Sequence, residues 1–178
     1  MKIQAIALPI NKILTKQTLF YLTIFTLPLL SHANQLLVGT AVNLMLFLGA
    51  KNLTHKELIL LAILPSLGAI SNGVLFGSFT MLLIYFAPAI WLGNYLMMRV
   101  FNQTKNLPTL ISIISAALVK TALLFGVALS LVKLSLVPTI FLTAMGTVQF
   151  ITATTGGILA NLLSQSKLFT ETKEPAND

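Results

Sequence analysis

A single charge interrupts one of the apolar runs of this sequence. Lys120 lies near the middle of residues 110–132, and it is the one charged residue in that run. At ~1.5 Å of rise per residue, the middle of a helix of this length lies roughly 15 Å inside a hydrocarbon layer ~30 Å thick. A lysine at that depth cannot extend to the interface, so it faces protein or a wet cavity and is a candidate functional residue.

The sequence offers Lys120 no carboxylate within an apolar run. The four acids are Glu57, in a short polar loop, and Glu171, Glu174 and Asp178 near the C-terminus. Burying an unpaired ammonium is costly, which leaves three outcomes. The amine is neutral, it is solvated by amides and hydroxyls, or it meets an anion that the protein does not supply. The third outcome predicts a ligand site.

Amide side chains occupy several of the other apolar runs. Depth counting places Asn43 and Gln149 near the level of Lys120, Asn72 in the outer third of its segment and Asn94 in the inner half of its own. A buried amide in lipid needs partners, so any one of them can serve simply to join helices. We interpret Lys120 and Gln149 as a ligand site instead, because a charge and an amide at one depth form a convergent polar site in an apolar cavity.

No motif for catalysis or metal binding accompanies these residues. The sequence contains no G-x-x-x-x-G-K-[ST] loop, no H-E-x-x-H and no G-x-S-x-G. His32 and His55 fall on opposite sides of the predicted membrane, and no acid is placed to complete a triad or a proton relay. Trp91 lies too deep for an interfacial belt and either packs in the bundle or stacks on a flat ligand. We therefore predict no catalytic residue, no metal and no cofactor.

The composition is that of an integral membrane protein. Hydrophobic residues make up 56% of the 178 and charged residues 8%, and the mean hydropathy is +0.91. This length suits a bundle of six spans and leaves no room for a soluble ATPase domain. Cysteine is absent, which excludes disulfides and a thiol nucleophile. The net charge of +7 is scattered over loops and tails, a pattern that favours anionic lipid over nucleic acid.

The apolar runs divide the chain into three parts. Residues 1–17 form a basic leader, 18–163 a membrane domain and 164–178 a polar cytoplasmic tail. The predicted spans of this all-α six-helix bundle are 18–30, 35–50, 58–76, 79–101, 110–132 and 136–163. The N-terminal region also fits a signal peptide cleaved before Asn34, but we favour an uncleaved first helix because its apolar character begins early.

Positive charge is concentrated on one side of the predicted spans. Nine Lys and Arg residues fall on that side, whereas the opposite connections contain only Lys133. This asymmetry predicts that both termini are cytoplasmic. The nine are Lys2, Lys12, Lys16, Lys51, Lys56, Arg99, Lys105, Lys167 and Lys173.

Small residues recur every four positions on three spans, and we expect them to allow close packing within the bundle rather than docking of a second protein. The three sets are Ala69/Gly73/Gly77, Ala122/Gly126/Ser130 and Thr152/Gly156/Ala160.

Several of these runs resemble a known family. The most specific pieces are the Trp-Leu-Gly-Asn stretch at 91–94, Val-Lys at 119–120 and the Gln…Gly-Gly pattern that begins at Gln149. Together with the surrounding apolar sequence, which covers most of residues 36–162, they resemble the S components of energy-coupling-factor (ECF) transporters. The quoted matches are 36–50, 64–77, 87–101, 116–125 and 148–160.

The resemblance implies a six-helix membrane protein that binds a vitamin or other micronutrient on its outer side. It implies that Asn72, Asn94, Lys120 and Gln149 face the ligand and that the connection at 31–35 is part of a lid. Energy would come from a separate transmembrane coupling subunit and two ATPases. The Ala-x-x-x-Ala coupling motif found in the first helix of many S components is absent here. The alternative that this chain acts without a coupling subunit therefore stays open.

Our first hypothesis is therefore a substrate-binding subunit for nutrient uptake in the plasma membrane of a prokaryote. Lys120 would pair with a carboxylate or phosphate, while Gln149 and Asn72 fix the orientation of the ligand. The second hypothesis is a helical membrane scaffold or accessory subunit that transports nothing. The third is a membrane enzyme that uses Lys120 as a base or as a Schiff-base amine.

Overall fold

The computed structural model describes residues 15–30, 34–73 and 77–166. Every regular element within these residues is a helix and none is a strand, which confirms the all-α prediction. The leader up to residue 14, residues 31–33 of the expected lid and the tail from 167 lie outside the described residues. The α-helices are α1 (Lys16–Leu30), α2 (Gln35–Asn52), α3 (His55–Asn72), α4 (Leu83–Gln103), α5 (Thr109–Lys133), α6 (Ile140–Met145) and α7 (Thr147–Gln165).

Local signals in the sequence set several of the helix ends. The Asn34 side chain accepts the Leu36 N–H at 2.6 Å and caps α2. Glu57 accepts the Thr54 N–H at 2.7 Å, as in a capping box, at the start of α3. Gly73 ends α3 in the left-handed region with a φ of 75°. The third helix therefore ends before residue 76, where we expected it to end, and a 3-10 helix (Gly77–Leu82) leads into α4.

Within the described ranges, two helical stretches are long and apolar enough to cross a membrane, namely the continuous stretch Phe79–Gln103 and α5. Every long helix also exposes large apolar side chains. Examples are Leu22 on α1, Leu37 on α2, Leu60 on α3, Ile84 on α4, Leu118 on α5 and Leu162 on α7.

Helix α2 contacts α1, α3, α4 and α7 and packs most extensively against α7. The backbones approach closely at Gly156, where a Cβ atom would lie 2.7 Å from the Leu44 nitrogen and 2.8 Å from the Thr40 oxygen. Thr152, Gly156 and Ala160 are all buried. The packing predicted for this set of small residues is confirmed.

The small residues of α5 behave differently. Ala122, Gly126 and Ser130 are exposed, and a Cβ atom at Gly126 would have nothing within 4 Å. The expectation that this set packs inside the bundle is therefore wrong, because α5 turns its opposite side, with Lys120, Leu124 and Ala128, toward the core.

The segment expected as one sixth span is broken. Helix α6 ends at Met145, and α7 begins after Gly146, whose φ and ψ are −97° and −99°. A Cβ atom at Gly146 would lie 2.7 Å from the Leu142 oxygen and 2.9 Å from Cδ2 of Phe125. Glycine allows α5 to approach the chain at this break. Phe141 on α6 is buried and stacks on Phe86 of α4, with ring centroids 5.0 Å apart.

Hydrogen bonds connect the basic helix ends at one end of the bundle. Lys16 Nζ donates to Asn52 Oδ1 at 2.7 Å, Lys51 Nζ donates to Ser164 Oγ at 2.7 Å, and Arg99 is bonded to His55. Lys133 lies at the far end of α5, about 36 Å from its first residue for a helix of 25 residues. The described lysines and arginine that we assigned to one side thus share one end of the bundle.

Candidate functional site

Lys120 is buried in the middle of α5, with 3% of its surface exposed. Its Nζ donates a hydrogen bond to Oδ1 of Asn43 on α2 at 2.7 Å. An ammonium group has three donors, and among the described residues Asn43 is the acceptor for one of them. The amine therefore meets a neutral amide and no carboxylate within the part of the chain that the structure describes.

The Asn43 amide is held in one orientation by bonds to two helices. Its Nδ2 donates to the Gly39 carbonyl at 2.9 Å and to Oγ1 of Thr152 at 3.2 Å. The Thr152 hydroxyl in turn donates to the Gln149 carbonyl at 3.2 Å. Because the amide nitrogen is used in this way, Oδ1 is directed at Lys120, and α2, α5 and α7 are linked at one level.

Lys120 and Asn43 line a cavity inside the bundle. The centre of a water-sized molecule has about 80 Å³ to move in, and roughly 10–15 Å³ holds one water. The cavity therefore admits several waters, or the carboxylate or phosphate end of a ligand. Its polar lining is Gln35, Asn43, Ser66, Asn94, Lys120, Gln149 and Thr152, and the other lining residues are mainly apolar.

The cavity occupies one half of the bundle. The residues of α2 that line it lie between Gln35 and Asn43, and those of α3 lie between Pro65 and Ala69. It thus extends from the end opposite the basic helix ends to the level of Lys120. Lys120, Asn43 and Asn94 form its deepest polar part.

Two buried polar atoms of the lining have no hydrogen-bond partner among the described residues. Asn94 is 1% exposed, and its Nδ2 donates to the Ala62 carbonyl at 3.0 Å while its Oδ1 has no donor. Nε2 of Gln35 is likewise buried without an acceptor. Leaving a buried polar atom unbonded costs ~1–3 kcal/mol, so both atoms are available to a polar molecule in the cavity.

The break at Gly146 brings a helix N-terminus to the same cavity. α7 starts without a side-chain cap, and Val148 and Gln149 of its first turn line the cavity. The first N–H groups of a helix have no partners within the helix and carry partial positive charge. Together with the Lys120 amine they give the cavity hydrogen-bond donors that favour an anionic group.

The structure brings four of the six predicted site residues together. Lys120, Gln149, Asn94 and Asn43 line the cavity, whereas Asn72 and Trp91 do not. Asn72 donates to the Leu29 carbonyl at 2.7 Å, and this bond joins α3 to α1. Trp91 Nε1 donates to Ser66 Oγ at 2.6 Å, which places the indole behind a lining residue.

Three lining residues, Gln35, Ser66 and Thr152, are not among the site residues predicted from the sequence. Thr152 appeared only as a member of a small-residue set, and Ser66 follows Pro65 inside an apolar run. The pairing of Lys120 with Asn43 had a usable signal, because both were counted to the same depth. The sequence predicts Gln149 as the companion of Lys120, whereas the hydrogen-bond partner in the structure is Asn43.

Replacing Asn43 by Leu is expected to lower the free energy of unfolding by ~1–3 kcal/mol, because the amine loses its acceptor. The double variant Asn43→Leu/Lys120→Met is expected to recover most of that loss, since no buried ammonium then remains. A double-mutant cycle of unfolding in detergent measures the coupling. Additive losses would show that the two side chains do not stabilise each other.

The described residues contain no group of three or more His, Cys, Asp or Glu side chains that could hold a metal ion. No protein-family model, no curated protein and no solved structure matches the chain.

Proposed function

We propose that this chain is a membrane-embedded substrate-binding subunit for the uptake of a small, vitamin-like nutrient that is anionic or zwitterionic. The observation that carries the proposal is the burial of Lys120 beside a cavity, with neutral Asn43 as its hydrogen-bond partner among the described residues. A buried ammonium is stabilised when a negative charge is brought to it, and a carboxylate or phosphate of the ligand would bring that charge.

Three features support placement in a membrane. Two helical stretches have the length and hydropathy of spans. Every long helix exposes large apolar side chains, which a soluble monomer rarely does over large areas. The described charges lie near the helix ends except for Lys120. We therefore propose a six-helix bundle in the plasma membrane of a prokaryote, with both termini in the cytoplasm.

The lining suggests which groups the ligand carries. The unused Lys120 donors, the Gln149 amide and the start of α7 favour a carboxylate or phosphate. Asn94 Oδ1 needs a donor, such as a hydroxyl or amine of the ligand. In this proposal the ligand enters from the outer half of the bundle, and Lys120 binds its anionic end at the deepest point.

Release to the cytoplasm requires energy that this chain has no motif to supply, since no phosphate-binding loop is present. The resemblance to ECF S components suggests a separate transmembrane coupling subunit and two ATPases as partners. The ligand and the lipid bilayer complete the proposed set of partners.

The proposed orientation can be tested because the natural chain has no cysteine. In intact cells, a Lys133→Cys variant is expected to react with a membrane-impermeant maleimide, because residue 133 would lie at the outer end of α5. A Lys56→Cys variant is expected to react only after the membrane is opened. Reaction of position 56 in intact cells would contradict the orientation, and protection of both positions would contradict an exposed outer end of α5.

A scaffold that transports nothing is the second candidate, and specific contacts favour it. The amide of Asn72 joins α3 to α1, that of Asn94 joins α4 to α3, and Trp91 also reaches α3 through Ser66. These bonds show that several predicted site residues hold helices together. A scaffold predicts that no small molecule is retained and that none is lost when Lys120 is replaced.

A further inference from the structure

The end of the bundle that carries most of the described basic residues contains a second cavity. It lies between the ends of α2 and α4, the start of α5 and the last part of α7, and the centre of a water-sized molecule has about 510 Å³ to move in. It shares no lining residue with the Lys120 cavity. Its polar lining consists of Lys51, Asn102, Lys105, Thr109, Ser112 and Asn161.

The two lysines of this second cavity have no carboxylate partner among the described residues. Lys51 Nζ donates to Ser164 Oγ at 2.7 Å and to Asn161 Oδ1 at 3.3 Å, and both acceptors are neutral. Lys105 is exposed. Glu57 is the one acid in the described part of the chain, and it is bonded to Gln17 and to the Thr54 N–H instead. The described lining of the cavity therefore carries two basic side chains and no acidic one.

Lys51 is exposed, but contacts with two neighbouring helices hold its amine in place. Its ammonium lies 5.9 Å from the centroid of the Phe101 ring, in addition to its bonds to α7. Partial burial lowers the pKa of the Lys51 amine. An anion bound beside it would offset that loss of hydration.

Helix α5 begins at the same cavity, and its start adds further donors. Pro108 precedes the helix and supplies no side-chain cap. Thr109 and Ser112 of the first turn line the cavity. Uncapped N–H groups at a helix start together with two lysines match the oxygens and the charge of a phosphate group.

We propose that this second cavity binds the phosphate group of an anionic phospholipid at the cytoplasmic surface of the membrane. A basic cavity between the cytoplasmic ends of membrane helices is a typical site for a lipid headgroup. A lipid is favoured over free phosphate because Leu107, Leu110 and Ile111, beside the start of α5, are each about half exposed and apolar. The proposal depends on the proposed membrane placement but not on a ligand in the Lys120 cavity.

Native mass spectrometry of the full chain in detergent, with phosphatidylglycerol or phosphatidylcholine added, tests this site. We expect the wild-type chain to retain phosphatidylglycerol preferentially. The Lys51→Gln/Lys105→Gln variant is expected to bind it about tenfold or more weakly, because the phosphate loses two charge-assisted hydrogen bonds inside the cavity. The control Lys16→Gln/Lys56→Gln removes the same charge at the same end of the bundle, outside the cavity, and is expected to bind nearly as well as wild type. The single variants Lys51→Gln and Lys105→Gln are each expected to show a smaller loss.

Equal losses in both double variants would overturn the site, because general surface charge would then explain retention. Equal retention of the two lipids by the wild-type chain would overturn it as well. In a third measurement, inorganic phosphate is added at millimolar concentration to compete with the bound lipid. If it displaces the lipid from wild type, the site recognises free phosphate and the lipid assignment is wrong; if it does not, the lipid is supported. Retention of a small molecule in the Lys120 cavity is read separately in the same spectra.

Discussion

Replacing Lys120 by Met is expected to reduce retention of the ligand strongly while leaving the protein folded. Methionine has a similar length and no charge, so it fills the space of the lysine stem without a donor for the anion. Hydrogen bonds to charged groups contribute ~1.5–3 kcal/mol, which corresponds to roughly a 10- to 100-fold loss of affinity at 25 °C. The free energy of unfolding should stay similar or rise, because a buried ammonium is removed.

The matched control is Lys133→Met, which removes the same charge from the exposed end of the same helix. Both variants would be purified beside wild type from cells grown together, and native mass spectrometry would give the fraction of protein that carries a small molecule. We expect the Lys133 variant to match wild type. Equal retention by the Lys120 variant would remove the reason for assigning the cavity to an anion. A wild-type chain that retains no small molecule, together with a Lys120 variant of similar stability, would favour the scaffold.

Replacing Gly156 by Ala is expected to produce a large loss of stability. The added Cβ atom would lie 2.7 Å from the Leu44 nitrogen, 2.8 Å from the Thr40 oxygen and 2.8 Å from Cβ of Asn43. Two of these contacts are backbone atoms, so α2 and α7 must separate, and overpacking of this kind costs ~1–3 kcal/mol. The movement also displaces Asn43, so ligand retention should fall together with stability.

Gly126→Ala is the matched control for this change. Its Cβ atom would meet nothing within 4 Å, and replacing glycine by alanine inside a helix is favourable by roughly 0.5–1 kcal/mol. Thermal and denaturant unfolding in detergent should therefore show a loss of stability for Gly156→Ala and a gain for Gly126→Ala. Similar behaviour would mean that the close contact of α2 with α7 does not stabilise the bundle.

Much of the helical order could be predicted because apolar runs and polar loops alternate clearly. Lys51–Glu57, for example, is a polar stretch between two runs, and the Thr54 and Glu57 pair is a local signal for the start of α3. The break at Gly146 could not be predicted. It depends on the approach of Phe125 from another helix, and a single glycine in an apolar run does not indicate such a contact.

The sequence predicts how deep each candidate side chain lies in the bundle, but not the direction in which that side chain points. Counting residues along a run gives the level of a side chain, and on that basis Asn43 and Lys120 were placed together. The direction in which a helix turns each side chain depends on its neighbours, which the sequence does not give. Asn72 and Trp91 therefore bond to α1 and α3 instead of lining the cavity, while Thr152 lines it unexpectedly.

The most direct test of the proposed site is a structure of the protein purified from its own membrane. The measurement is which atoms lie within hydrogen-bond distance of the Lys120 amine. We predict a carboxylate or phosphate oxygen of a non-protein molecule about 2.7–2.9 Å from Nζ, with a donor of that molecule near Asn94 Oδ1. An amine bonded only to Asn43 and waters, in protein from which no small molecule is recovered, would contradict the proposal.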